Sequence, residues 1–453
     1  MNPTESGTPQ TPPAAHRATH ALRREVGTFG IFLFILGDVL GAGVYVLVGE
    51  VAARAGGAVW APLLVALLLA LLTAGSYAEL ATKYPRAGGS SYYAHRAFGP
   101  FAGFLVGFCM LAAGIVSVGA LALGFAGDYL SVFLSAPVPI AATAFLVLLA
   151  ALNARGIKES MGANAVATII EVSGLLLVIF LGAAVVLRGD ADLGRLTALG
   201  TPTEGPVTAV LGGAVLAYYA YVGFETSVNV AEEARDPRRS YPRALFGALA
   251  VAGVVYVLVG AAASAVVPTQ QLSASSGPLL EVVRVAGGVP LILFGAIALV
   301  AVANGALLTG IMSSRLTYGM ARVGLLPSVL GRVLPGRRTP WVAIVATTTL
   351  SLVLALLGSI AVLASTLVLL LLLVFSSVNI AVLVLRHRDP GTSADHFRIP
   401  TAVPVLGLLS CLILFTQVEP QTWAWGLPMI GVGALGAVVA ARNARHVGPG
   451  VRD

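Results

Sequence analysis

Apolar residues dominate this chain in long runs broken by short polar stretches, and neither the two-residue alternation of a strand nor a single helical stripe accounts for them. Each run is hydrophobic on all sides over about 20 residues, the length that crosses roughly 30 Å of hydrocarbon. Twelve such runs are read at 27–51, 59–82, 99–126, 138–153, 165–187, 207–231, 244–267, 289–318, 340–357, 361–385, 402–418 and 422–441. They predict an all-α polytopic membrane protein. Two runs carry glycine at their midpoint, Gly41-Ala42-Gly43 in the first and Gly223-Phe224-Glu225 in the sixth. A bilayer core offers no water to free backbone groups, so a broken helix there belongs where it is packed in protein or lines a cavity. The breaks open corresponding runs of two five-run halves, which points to the substrate site of a secondary transporter.

Orientation follows from the basic residues. With the N-terminus inside, all but Arg54, Arg188, Arg195 and Arg284 of the 27 Lys and Arg fall on the cytoplasmic side. The opposite placement reverses the positive-inside bias, so both termini are expected in the cytoplasm.

Composition agrees with this class: 57% of residues are hydrophobic, 10% are charged and the mean hydropathy is +0.91. The net charge of +7 is a matter of loop topology here and is not read as nucleic-acid binding. Residues 1–26 have no apolar run and read as a disordered tail and not a signal peptide. Cys109 and Cys411 fall inside runs and read as small packing residues, with no disulfide framework. Only Lys83 and Lys158 are lysines against an abundance of Arg, Ala and Gly. That bias suggests a GC-rich bacterial genome, hence a bacterial cell membrane. The outer stretch 268–288 is either a partial lid or a plain connection.

The first break, Gly37 to Tyr45, frees N–H groups on the outer half-helix that suit a carboxylate, and carbonyls on the inner half that suit an amine or cation. A zwitterionic amino acid satisfies both. In the second break, Tyr219 reads as an aromatic gate, and Tyr218 and Tyr221 as packing residues. Three acids lie well inside runs, away from their ends: Asp38, Glu171 and Glu225. Each costs about 2.5–3.5 kcal/mol at a helix centre unless it has a partner, a proton or water. All three are candidate coupling groups. Glu225 has a structural alternative in tying down free N–H groups of its break, and Glu171, about 9 Å into its run, in snorkelling or interhelical bonding. No HExxH, GxSxG or GxxxxGK[ST] motif suggests an enzyme.

Four stretches resemble the amino acid-polyamine-organocation superfamily of permeases: GDVLGAGVY from Gly37, YAELATKYPRAGGSSYYAHRAFG over 77–99, AYVGFETSVNVAEEARDPRRSYPRAL over 220–245, and SRLTYGMARVGLLP over 314–327. The resemblance implies two inverted five-helix repeats (27–187 and 207–385), two further helices (402–441) and a cytoplasmic tail (442–453). It implies alternating-access transport of amino acids or related amines. It places the substrate carboxylate at Ala42 and Gly43, and the amine near Asp38 and Tyr219. Gly41, Gly223, Phe224, Glu225 and Thr309 complete the expected substrate site, with Tyr219 as gate. Glu232, Glu233, Arg86, Arg238 and Arg239 are candidates for inner-gate ion pairs or plain solvated loop residues.

The chain departs from its relatives at two places. Several family members have a Lys within a sequence like IIKV in the fifth run, where this chain has Ile169-Ile170-Glu171-Val172. A carboxylate in place of an ammonium would recruit a proton or metal cation, or a basic substrate group. In the third run, Gly107 to Ala113 contains no acid, unlike members selective for cationic amino acids. The leading expectation is a permease for neutral or small amino acids, coupled to a proton in preference to sodium, with no cofactor or metal. Its partners are the small-molecule substrate and the bilayer. A polyamine or basic amino acid exchanger and a non-transporting amino acid receptor are the alternatives.

Overall fold

The computed structural model describes residues 27–85, 88–156, 160–228, 236–388 and 396–446. Among these the chain forms sixteen α-helices and no strand, apart from one isolated bridge between Gly56 and Leu199. The expected tail over 1–26, Arg86, Glu232, Glu233 and the last residues of the C-terminal tail lie outside them.

The first predicted run forms two helices, α1 (Thr28–Val39) and α2 (Gly43–Ala55), bent by 47° at the break. Next come α3 (Trp60–Lys83), a short α4 (Gly89–Phe98), α5 (Pro100–Gly124) with a π-helical turn at Phe125–Tyr129, α6 (Val138–Arg155) and α7 (Ser160–Arg188). The second half runs through α8 (Pro206–Tyr218), α9 (Pro237–Val266), the short α10 (Thr269–Ala274) and α11 (Pro278–Ala286), then α12 (Leu291–Arg322), α13 (Trp341–Leu357) and α14 (Ile360–Arg388). It is followed by α15 (Ala402–Gln417) and α16 (Pro420–His446).

Proline at the first helical positions opens α5, α6, α8, α9 and α11. Its missing N–H costs nothing there, because those donors have no intrahelical partner. Nine helices among the described residues are long and apolar enough to cross a membrane, and the bent pair brings the number to ten. The helices α13 and α15, of 17 and 16 residues, occupy the remaining predicted positions. At 1.5 Å per residue each spans only about 25 Å, the short end of what hydrocarbon requires.

The broken pair is held in the middle. α1 lies along α9, α2 along α8, while α5 packs against α12, α14 and α16. On the α3 side, Arg386 of α14 makes a two-toothed ion pair with Glu79, at 2.6 and 2.7 Å. Glu79 also accepts the Ile399 N–H, and Arg386 donates to the Ile399 carbonyl, which fixes the approach to α15. The stretch 268–288 is more than a connection. It folds into α10 and α11, and the π-helical turn after α5 holds it: Asp128 Oδ2 accepts from Ser275 Oγ and the N–H groups of Ser276 and Gly277.

Candidate functional site

The first break begins where Gly37, Gly41 and Gly43, all weak helix formers, fall close together. α1 stops at Val39, and Leu40 to Ala42 form a bend and turn before α2 starts at Gly43. The Val39 carbonyl at the end of α1 accepts the Tyr256 hydroxyl at 2.5 Å. The N–H groups of the first turn of α2 have no helical acceptors, as at any helix start.

In the second break, α8 gives way to one 3-10 turn, Tyr219–Tyr221, and Val222 turns extended. Gly223 has φ +126°, a conformation other residues rarely adopt. Its N–H is taken by Glu225 Oε2 at 2.9 Å. The two breaks touch, and glycine permits it. A Cβ on Gly223 would sit 2.9 Å from the Asp38 carbonyl oxygen, and one on Gly43 2.9 Å from the Ala220 Cα.

Between them lies a cavity of about 330 Å³, at the lower end of the usual range for small-molecule sites. Of the residues expected from sequence, Asp38, Gly41, Ala42, Gly43, Tyr219, Gly223, Glu225, Thr309 and Glu171 line it. Phe224 does not. It is fully buried outside the cavity, edge-on to Tyr77 at 5.6 Å and stacked on Phe375 at 5.5 Å. Tyr218 and Tyr221 are also buried in packing, and Tyr221 donates to the Leu63 carbonyl. Ser313 and Ser314 bond back to carbonyls of their own helix. Arg238 and Arg239 are exposed at the start of α9.

The rest of the lining comes mainly from α5 (Met110, Ala113, Gly114, Ser117), α12 (Asn304, Leu308, Met312) and α14 (Leu367, Leu371). Apart from Ser117 and Asn304 this surface is apolar. Tyr219 is 7% exposed and its hydroxyl lies 2.8 Å from that of Ser117, which holds the ring across the cavity wall.

Glu171 faces the cavity from α7. Asn304 Nδ2 donates to its Oε1 at 3.0 Å, the Tyr45 hydroxyl donates to its backbone carbonyl at 2.6 Å, and its buried Oε2 has no hydrogen-bond partner. Such an oxygen is costly unless it takes a proton, water or cation. No group of three or more His, Cys, Asp or Glu that could hold a metal ion occurs among the described residues.

Sequence reading did not single out Ser117 and Thr226. Ser117 is a lone hydroxyl in the apolar third run. Thr226 stands next to Glu225 and bonds to Asp38, and only the fold places Asp38, 188 residues away, beside it.

The amino acid permease family model matches residues 26–438. The chain is 29% identical over 427 residues to the branched-chain amino acid permease BcaP of Bacillus subtilis, covering 88% of this chain and 89% of that protein. It is 28% identical over 446 residues to the methylthioribose transporter of the same species, covering 93% and 94%. It is also 31% identical over 354 residues to the chloroplastic cationic amino acid transporter 9 of Arabidopsis thaliana, covering 72% and 60%. With that match, and with helices of membrane-crossing length throughout, the chain belongs to the amino acid permease family of the amino acid-polyamine-organocation superfamily and is a membrane-embedded transporter.

Proposed function

We propose that the protein moves neutral or small amino acids, or close amine relatives, across the cell membrane by alternating access, driven by a proton. In this reading twelve spans form two inverted repeats of five plus two more, and both termini face the cytoplasm. The observation that carries it is the cavity enclosed by the two helix breaks, with the N-terminus of α2 at one side and an apolar wall from α5, α12 and α14 at the other. The substrate carboxylate takes the free N–H groups at Ala42 and Gly43, and the ammonium takes carbonyls of the unwound chain near Asp38. Tyr219 closes over the ligand. A proton can drive the cycle only if one conformation binds it more tightly than the other, and the acids facing the cavity are the groups able to hold it.

The relative named for branched-chain amino acids fits the apolar lining. A second reading, exchange of basic amino acids or polyamines, is favoured by the three acids facing the cavity and by the relative named for cationic amino acids. Purified protein in proteoliposomes separates them. The first reading expects accumulation of radiolabelled leucine or alanine under an inward proton gradient. Accumulation of arginine or putrescine alone replaces it with the second. Amino acids that raise the melting temperature while none is transported would point to a receptor.

A further inference from the structure

The two broken helices meet at a single hydroxyl. Thr226 Oγ lies 2.5 Å from Asp38 Oδ2 and 2.8 Å from the Gly223 carbonyl oxygen. A threonine hydroxyl has one hydrogen to give, and both a carbonyl and an ionised carboxylate only accept. With Asp38 ionised, one of these close oxygen pairs holds no hydrogen. With Asp38 protonated, both are bonded: Asp38 donates to Thr226, and Thr226 donates to Gly223.

The surroundings favour the second arrangement. Glu225, the other acid at this junction, already accepts from the Gly223 N–H through Oε2. Among the described residues no Lys, Arg or His lines the cavity to balance two carboxylates, and two like charges buried together do not both stay ionised.

Among the described residues, the other titratable groups close to the junction on neighbouring elements are acids and phenols, and the basic residues of those elements lie toward the helix ends. Glu171 stands on α7, Tyr77 on α3, and Tyr241 and Tyr256 on α9, where Tyr241 bonds Ser227 and Tyr256 bonds Val39. The basic residues at the start of α9, Arg238, Arg239 and Arg243, are exposed.

We propose that Asp38 carries the coupling proton in this conformation, and that the protonated Asp38–Thr226 bond locks the inner half of the first span to the break in the sixth. This rests on the permease reading above and assigns its proton to one group. When Asp38 gives its proton to the inner solution, it becomes a carboxylate beside Glu225. Thr226 can then bond to Asp38 or to Gly223 but not both, and α1 is free to part from the break. Proton release thereby favours the inward-open state.

The test needs no transport. Infrared spectra of the purified, substrate-free protein are compared for wild type, Asp38→Asn and Thr226→Val, in neutral and alkaline buffer. The expected result is a protonated-carboxyl C=O stretch in wild type at neutral pH that is lost in Asp38→Asn and shifted in frequency in Thr226→Val, which keeps the shape but not the hydroxyl. If Asp38→Asn folds poorly, Thr226→Val still decides through the shift of the same band. A carboxyl band unchanged in both variants overturns the assignment even if the wild type proves to be a proton-driven permease. The converse outcome, the expected band in a protein that moves no amino acid, leaves the proton on Asp38 and removes the permease reading. Thermal melting gives a parallel readout. Wild type is expected to lose stability as pH rises and Asp38 ionises, and Asp38→Asn to lose less.

Discussion

The hydroxyls of Tyr219 and Ser117 lie 2.8 Å apart, joining the second helix break to α5 over the candidate substrate cavity. The bond is between two side chains 102 residues apart, so it reports the packing of the fold and not a local preference. One buried hydrogen bond contributes about 1 kcal/mol net, roughly fivefold in an equilibrium. Tyr219→Phe and Ser117→Ala should each weaken the apparent affinity for substrate about fivefold. The double variant should be no worse than either single one. Uptake titrations in proteoliposomes measure this, and additive losses would mean that the two hydroxyls do not act as a pair.

Gly223 holds φ +126°, and a Cβ there would press on the Asp38 backbone. Gly223→Ala should therefore cost about 1–3 kcal/mol of stability and abolish transport, because it pushes the two breaks apart. Gly319, where a Cβ would meet nothing within 4 Å, is the control. Gly319→Ala should melt at the wild-type temperature or above.

Glu171 and Asn304 give a different signature. Glu171 is fully buried, with one carboxyl oxygen bonded to Asn304 and the other without a partner. Replacing both members of a buried polar pair by apolar side chains is often neutral or stabilising. The Glu171→Leu, Asn304→Leu double variant should melt no lower than wild type in detergent and yet fail to transport. A large drop in melting temperature would instead make the pair structural.

The Glu79–Arg386 pair should behave in the opposite way. Their side chains are 1% and 8% exposed, and both also bond the Ile399 backbone. Glu79→Ala leaves a buried guanidinium without its counter-charge, at a cost of about 3–5 kcal/mol. Replacing Arg386 as well with Met should recover part of that loss, which thermal melting of the single and double variants would show.

Asp128, in the π-helical turn after α5, is the anchor of the α10–α11 segment. One carboxyl oxygen accepts three hydrogen bonds from Ser275, Ser276 and Gly277, and the Asp128 N–H donates to Ser276 Oγ. α10 lies against α2, with the Leu272 backbone close enough to Gly49 that no Cβ fits. Asp128→Ala should loosen this cap. A cysteine placed at Leu272, which is 1% exposed, should then react faster with a membrane-impermeant thiol reagent than in the Asp128 background. Equal rates would show that the cap is held by packing alone.

The sequence by itself determined the class of the protein, the positions of its spans and the two places where they break. These are local properties. Continuous hydrophobicity sets where a helix can cross lipid, and clustered glycines set where it unwinds. Asp38, Glu171 and Glu225 were legible for the same reason, since a charge deep in an apolar run stands out without any knowledge of its neighbours.

What only the tertiary structure decided is who meets whom. Phe224, beside the break in sequence, points into packing against Tyr77 and Phe375, while Ser117 and Thr226, unremarkable in sequence, contact Tyr219 and Asp38. The folding of 268–288 into two helices belongs to the same category. Hydrophobic pattern fixes an element and its faces, but a hydrogen bond between side chains more than a hundred residues apart exists only once the helices carrying them have packed.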